Sequence, residues 1–532
     1  MSKKSGGKTV RAPAARERIE ATSPATLKAI GSCELTPVAE VADIVARARA
    51  AQLAWGALDI RTRVEHLLDV RRALIARSRE LASVISRDNG KPQLEALLTE
   101  VFPVTDLIGY FGGAAEQMLA DKPLKLHSPL LVNKVSTVRR QPRGVVAVIA
   151  PWNYPFSIPM GEIVLALLAG NAVVLKGSTE TPLVAQAIEE VMARGLLPAG
   201  LFSVLQGSGS EVGAALVSAG VDKISFTGSV GVGRRVMAMA AESLTPVKLE
   251  LGGKDPAIVC ADADLERAAA GIVWGAFMNA GQTCASVERV YVQREVAEEF
   301  IERVVERTKA IRVGFDEERE STCCDMGPLV SAGQLALVRE HVCDARAKGA
   351  VVRVGGGRPA GLDEEALPGY FHAPTVLTEV THEMRCMTEE TFGPTLPIMV
   401  VDSEEEALLL ANDSPFGLTA SVWSRDRRRA AELARRLKAG TVTINDHNFT
   451  HGIPEAPWTG VAESGFGSSH GEEGLLEMTY PKHISDDRLP LAKNAWWFPY
   501  DQRLSRLLGG VLKLMETRDN ALRHLKNFWQ RS

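Results

Sequence analysis

Between residues 144 and 250 the chain alternates short apolar runs with longer stretches of helical periodicity, and this alternation restricts the fold more than any other feature. The runs fall at 145–150, 172–175, 202–205, 223–226 and 247–250. Such short, bounded runs suit strands buried on both faces. Strands separated by helices read as βαβ units, so the segment is expected to form a doubly wound parallel sheet. A second α/β series runs from about 255 to 445, and 38–116 reads as helical. Thr181-Pro182 is expected to open a helix as N-cap and first helical residue. At 532 residues, two large domains fit without disulfide staples.

Composition excludes several classes. Apolar residues make up 45% and charged residues 24%, ordinary values for a globular chain rather than a disordered or fibrous one. With 61 Lys and Arg against 65 Asp and Glu, the net charge of −4 offers no general basic field for nucleic acid. No apolar run reaches the roughly 18 residues of a spanning helix. The first eight residues lack the apolar stretch of a secretory signal. Seven cysteines are odd in number and sparse, which suits a reducing cytoplasm. Cys323-Cys324 has no second pair or nearby His, so no metal site is expected.

Five stretches carry chemistry. The turn Gly207-Ser208-Gly209-Ser210-Glu211-Val212-Gly213 has one residue too many for a dinucleotide fingerprint; by itself it is a turn before a helix. In Phe277-Met278-Asn279-Ala280-Gly281-Gln282-Thr283-Cys284, small turn-forming neighbours can expose a thiol and aim backbone N–H groups at it. The bland alternative, a buried structural cysteine, is kept for Cys260, Cys343 and Cys386. Leu249-Glu250-Leu251-Gly252-Gly253-Lys254 ends an apolar run with a carboxylate where open α/β sheets bind ligands, so Glu250 is a candidate general base or a solvated strand-end acid. Pro151-Trp152-Asn153-Tyr154-Pro155 follows a strand, and the Asn153 amide can donate to an oxyanion or satisfy its own turn. Phe226-Thr227-Gly228-Ser229-Val230-Gly231-Val232-Gly233 runs from a strand into a glycine-rich helix start, a weak phosphate-binding signal taken alone.

Together and in this order, the last four stretches resemble the NAD(P)-dependent aldehyde dehydrogenase superfamily, over about residues 36–484. Gly90-Lys91-Pro92, Glu390-Thr391-Phe392-Gly393-Pro394 and Ser464-Gly465-Phe466-Gly467 are lesser matches. The resemblance implies an aldehyde dehydrogenase-like fold. Residues 1–22 are then a disordered basic arm, 23–252 a cofactor-binding domain with 122–142 as bridging segment, and 253–445 a catalytic domain. Residues 446–486 return to the cofactor domain and add a bridging strand, and 487–532 are an extension. It further implies that Cys284 attacks an aldehyde, that Asn153 and the Cys284 N–H hold the oxyanion, and that Glu250 activates the water that hydrolyses the thioester. Lys176, Ser178 and Thr179 would lie by the adenine ribose and Ser229 by the pyrophosphate. Glu390 would hold the nicotinamide ribose with Phe392 beside the ring. Trp152, Gly209, Gly213, Phe226, Gly228 and Leu251 complete the expected cofactor lining.

Two departures matter. Thr179 stands where the family usually has a Glu that grips the ribose and repels a 2′-phosphate, so NADP acceptance is expected, with NAD as the alternative. Ser469 stands where an alternative carboxylate base often occurs, leaving Glu250 alone in that duty. The resemblance also implies a small-molecule aldehyde partner, a homodimer or homotetramer, and no nucleic acid. An apolar medium- or long-chain, or broad-range, aldehyde is the expected substrate and succinic semialdehyde the alternative. Glu250 argues against a CoA-acylating branch, and the intact Cys284, Glu250 and Asn153 argue against a non-catalytic scaffold.

Residues 487–532 extend past the resemblance. They hold three of the eight tryptophans and nine Lys or Arg against four acids, a net charge of +5. Leu504, Leu507, Leu508, Val511, Leu512 and Met515 recur at helical spacing. This amphipathic stretch is expected either to pack on protein or to make peripheral contact with an anionic membrane, which would leave the cytoplasmic protein membrane-associated.

Overall fold

The computed structural model describes residues 16–128, 131, 133–315, 324–489, 492–494 and 496–529, the side chains as far as 520. Residues 1–120 and 140–480 form one compact unit, and 121–139 with 481–532 form another.

The larger unit is built on two sheets. In the six-stranded sheet the order is Gly465–Phe466, Val247–Glu250, Lys223–Thr227, Val145–Ile149, Ala172–Lys176 and Phe202–Leu205. All neighbours are parallel except the Gly465–Phe466 edge. The apolar runs are therefore strands: Val145 to Val148 and Val173 to Leu175 are at most 2% exposed. Helix Ser157–Leu168 is buried on nearly every face, which explains its mostly apolar composition, Glu162 being the one charged residue within it. The seven-stranded sheet has the order Val351–Val354, Thr375–Thr378, Thr395–Val401, Arg289–Gln293, Pro256–Val259, Thr419–Trp423 and Thr441–Ile444. It is parallel apart from the first pair.

Two local expectations need correction. Residues 1–22 are not all a disordered arm: Arg18–Thr22 is a strand paired antiparallel with Ala29–Glu34. Ala21 and Cys33 bury one face of that hairpin, a two-residue alternation that overall polarity hides. Residues 1–15 lie outside the described residues. Pro182 does open helix Pro182–Met192, but Thr181 makes no side-chain cap. The Val184 N–H instead donates to the buried Asp88 Oδ2 at 3.0 Å, a partner 96 residues away.

In the smaller unit, Lys134–Pro142 lies between Lys122–Leu124 and Thr479–Asp487 in a three-stranded sheet. Asp487 accepts from Asn133 Nδ2 at 2.8 Å and from the Lys134 ammonium. The chain then enters a 28-residue helix, Gln502–Trp529.

Asp88→Ala should remove the side-chain acceptor at that helix start. The expected loss is about 1 kcal/mol, read as a lower urea midpoint. An unchanged midpoint would show that the bond contributes nothing.

Candidate active site

Cys284 lies in the loop after helix Leu265–Phe277. Asn279 (φ 53°), Ala280 (φ 55°) and Gly281 (φ 72°) all occupy the left-handed region, which is unfavourable for the two side-chain-bearing residues. Gly281 is required, because a Cβ there would come within 2.2 Å of the Gly393 carbonyl oxygen. The loop is held by its own side chains. Gln282 Oε1 accepts from Val330 N–H at 2.9 Å, and its Nε2 donates to Asn279 O at 3.0 Å. The Tyr154 hydroxyl and Thr283 Oγ1 are 2.8 Å apart. His447 Nε2 donates to Ala285 O at 2.7 Å; burial pushes this imidazole down to about 4, so it is neutral with its proton on Nε2. Cys284 is half-buried and lines a cavity of about 280 Å³. Burial, with Asp255, Glu250 and Glu390 nearby, pushes its thiol well above the ordinary range.

Asn153 is buried and its Nδ2 donates to Gln282 O at 3.0 Å, tying it to the Cys284 loop. Its own carbonyl accepts from Asn279 Nδ2 at 2.9 Å and from Lys91 Nζ at 2.8 Å. Lys91 also pairs with Glu100 at 2.7 Å, both side chains fully buried, and Glu100 Oε2 accepts the N–H groups of Phe156 and Ser157. This buried pair fixes the turn that carries Asn153. The tripeptide around Lys91 was visible in the sequence, but its partner and purpose were not.

Glu250 ends strand Val247–Glu250, so it lies past the carboxyl edge of the six-stranded sheet. It is buried, and neither carboxylate oxygen has a hydrogen bond. Burial pushes its pKa up to about 8 against the favourable Lys248 ammonium; the Trp458 indole favours the charged form weakly, short of hydrogen-bond geometry. Lys248, two residues earlier on the same strand face, donates to Glu162 and to Ser469 Oγ at 2.6 Å. Ser469 Oγ donates on to Glu162 at 2.8 Å, and Ser225 Oγ donates to its other oxygen at 2.9 Å. Against burial, these contacts hold the Glu162 carboxyl below its usual range. The residue at 469 is thus part of an ion network beside Glu250.

The expected cofactor residues gather along the same sheet edge. The Trp152 and Phe392 rings meet edge to face, 5.4 Å apart at 89°. Phe392 N–H and Thr391 N–H donate to Glu288 at 2.9 and 3.1 Å, and Glu288 pairs with buried Lys254 at 2.5 Å. Glu390 Oε1 accepts from Gly253 N–H at 2.9 Å, and a Cβ on Gly252 would come within 2.3 Å of its carboxylate. Burial, reinforced by Glu288, pushes Glu390 up to about 8. Lys176 ends strand Ala172–Lys176 and is 5% exposed; burial lowers it to about 8, and no protein carboxylate pairs with it among the described residues. Ser178 and Thr179 follow half-buried, and Ser178 Oγ accepts from Glu180 N–H at 3.2 Å. Glu180, absent from the sequence reading, is exposed one residue beyond the position where an acid was missed.

Ser229 precedes helix Val230–Ala241 without spending its side chain on a cap, leaving first-turn N–H groups available. A Cβ on Gly228 would strike the Phe226 ring at 2.7 Å, and one on Gly233 would strike Leu251 at 2.7 Å. Gly209 and Gly213 bound one wide helical turn after strand Phe202–Leu205, capped by Ser208 Oγ, which accepts from Glu211 N–H at 3.1 Å. An unpaired buried ammonium, open helix amides and an aromatic pair at one sheet edge suit a dinucleotide.

Gly281→Ala should force the Cys284 loop off the Gly393 carbonyl. Misplacement of about 1 Å can cost ~10²-fold in rate. A fall of that order in kcat/KM, with altered iodoacetamide labelling of Cys284, is expected; unchanged values would show that the loop tolerates the shift.

A model of the Aldehyde dehydrogenase family matches residues 11–484. A Methylomonas protein named 4,4′-diapolycopene aldehyde oxidase is 39% identical over 504 residues, covering 95% of this chain and 92% of its own. A Mycolicibacterium smegmatis protein provisionally named a succinate-semialdehyde dehydrogenase [NADP(+)] is 38% identical over 452 residues, covering 85% of each. The crystal structure of betaine aldehyde dehydrogenase from Staphylococcus aureus in complex with NAD+ superposes with TM-score 0.84 at 32% identity, covering 90% of this chain and 93% of that one. The chain therefore belongs to the aldehyde dehydrogenase family and is an NAD(P)-dependent aldehyde dehydrogenase.

Proposed function

We propose that the enzyme oxidises apolar medium- or long-chain aldehydes to carboxylic acids, with Cys284 as nucleophile, Glu250 as general base and Asn153 as oxyanion donor. The cavity at Cys284 carries the substrate reading. Leu98, Phe102, Ile158, Trp274, Phe449 and Trp458 line it, and among the described residues no Lys or Arg does. His451, also in the lining, is pushed down to about 4 by burial and is neutral. A substrate carboxylate would meet no cation there, whereas an alkyl or polyene chain would lose only water. The relative named for a diapolycopene aldehyde supports this direction. The one named for succinate semialdehyde supports the runner-up.

The chemistry follows from the surroundings of each group. The raised thiol needs a proton acceptor as its sulfur adds to the carbonyl carbon, and Glu250 serves. The Asn153 amide and the Cys284 backbone N–H hydrogen-bond the oxygen as it becomes negative. Bound NAD(P)+ would accept the hydride that turns the hemithioacetal into a thioester. Glu250, having released the first proton, then takes one from water. The water oxygen adds to the thioester carbonyl, the C–S bond breaks, and the acid leaves with the Cys284 thiol restored. A homodimer or homotetramer is the assembly this reading carries.

Cys284→Ala should abolish oxidation. Glu250→Gln should form its first equivalent of NAD(P)H more slowly, for want of the thiol's proton acceptor, and turn over about 10² to 10⁴ times more slowly overall; full steady-state turnover would reject the base assignment. Because the ionised form is the base, wild-type kcat should rise with pH through about 8, and the variant should lack that limb. The stability sign is opposite. A carboxyl raised on folding contributes stability that is present at low pH and lost as pH rises through about 8, so Glu250→Gln should raise the unfolding midpoint more at pH 8 than at pH 5. A panel from acetaldehyde to long-chain aldehydes, with succinic semialdehyde included, tests the substrate. Preference for succinic semialdehyde overturns the apolar reading.

For the cofactor we propose that NADP is accepted. Lys176 is a buried ammonium with no counter-charge among the described residues, and Thr179 places no carboxylate beside it. Thr179→Glu should shift selectivity toward NAD. A wild-type kcat/KM for NADP about a hundredfold below NAD would refute the proposal and point to Glu180 as the ribose-binding acid.

A further inference from the structure

Among the described residues, none named for the site above lies after Asp487, and the surface of this extension is unusual. Helix Gln502–Trp529 leaves Leu507, Leu508, Leu512, Leu514 and Met515 between 37% and 76% exposed. Leu504, Val511, Met515, Leu522 and Trp529 follow one another at intervals of seven, four, seven and seven residues, so their Cα positions share one face along the whole helix. Just before it, Trp496, Trp497, Phe498 and Tyr500 are 41–79% exposed. Exposed aromatics with polar tips beside an exposed aliphatic stripe are uncommon on a protein surface facing water alone.

Charge separates the candidate occupants. The helix carries six basic and two acidic residues. Arg503, Arg506 and Lys513 lie beside or opposite the stripe, where long stems can reach over an apolar surface and return their charge to water. The net positive charge of the helix disfavours its pairing with a second copy of itself. An anionic lipid surface satisfies both halves: acyl boundary for the stripe and aromatics, phosphate for the cations. The rest of the chain carries −9 against the +5 of the extension, so attraction to that surface is concentrated in this segment. Among the described residues no helix is long and apolar enough to cross a membrane, so this one would lie on it.

We infer that residues 496–529 form a peripheral anchor for anionic membranes, the helix lying in the plane of the headgroups with its Leu504–Met515 stripe inward. The anchor holds whichever aldehyde the enzyme oxidises. The full-length protein is tested by flotation with vesicles of phosphatidylglycerol and phosphatidylcholine, and with phosphatidylcholine alone. Binding to the anionic vesicles, release by high salt and weak binding to the neutral ones are expected. The double variant Leu508→Glu/Met515→Glu should bind at least about tenfold more weakly while keeping wild-type turnover of a water-soluble aldehyde and wild-type mass by light scattering. Truncation after Asp487 should abolish flotation. No flotation of the full chain, equal binding to both vesicle types, or undiminished binding of the double variant would overturn the anchor. A smaller assembly on truncation, with no lipid binding by the parent, would assign the stripe to a second copy instead.

Discussion

An ammonium group taken out of water must find a counter-charge, and much of this site depends on how that requirement is met. Among the described residues five lysines are buried: Lys91, Lys176, Lys223, Lys248 and Lys254. Four pair with Glu100, Glu477, Glu162 and Glu288 respectively. Two of those glutamates have oxygens left over, and they spend them on backbone. Glu100 takes the amides of Phe156 and Ser157, just past Asn153, and Glu288 takes those of Thr391 and Phe392. The segments that present Asn153 and Phe392 are thus pinned by charges that cannot leave without destabilising the core; removing one member of such a pair typically costs about 3–5 kcal/mol. Lys176 is the exception to the pattern, and a ligand anion is the counter-charge that would complete it.

The sheet does the coarser positioning. Parallel strands deliver every carboxyl end to one edge, so Trp152, Lys176, Ser229 and Glu250, scattered over about a hundred residues, converge without any contact between their motifs in sequence. The Cys284 thiol comes from the loop after helix Leu265–Phe277, outside that sheet, and glycines make room for it. Gly252 leaves room for the Glu390 carboxylate, and Gly253 leaves room for the Cys284 carbonyl, which a Cβ would approach to 2.9 Å. The two glycines after Glu250 are therefore a packing requirement between two segments rather than a flexible joint.

This division explains what the sequence revealed. Strands buried on both faces write themselves as apolar runs, and the residues bearing chemistry sit in turns at fixed distances after them, so both were legible. Partnerships across long separations were not. Nothing near Thr181 indicates that Asp88 caps its helix, nothing near Lys91 indicates Glu100, and Ser469 reads as a missing acid until Lys248 and Glu162 are seen beside it. The hairpin at Arg18–Thr22 was lost because its burial is one-sided and its flanks are polar. Glu180 follows Thr179 directly, so an acid displaced by one position leaves no mark in the four-residue pattern ending at Thr179.

The left-handed run before Cys284 has a consequence for how this enzyme could change over evolutionary or laboratory time. Asn279 tolerates that backbone through its short polar side chain, and Gly281 has no Cβ to object, but Ala280 holds a methyl group in a region that costs it roughly 1–2 kcal/mol. A glycine at 280 would relieve that strain, yet it would also enlarge the unfolded ensemble and loosen the peptide that aims the thiol. Stability and reactivity therefore meet at a single methyl group, and selection for heat resistance and selection for rate would pull this codon in opposite directions.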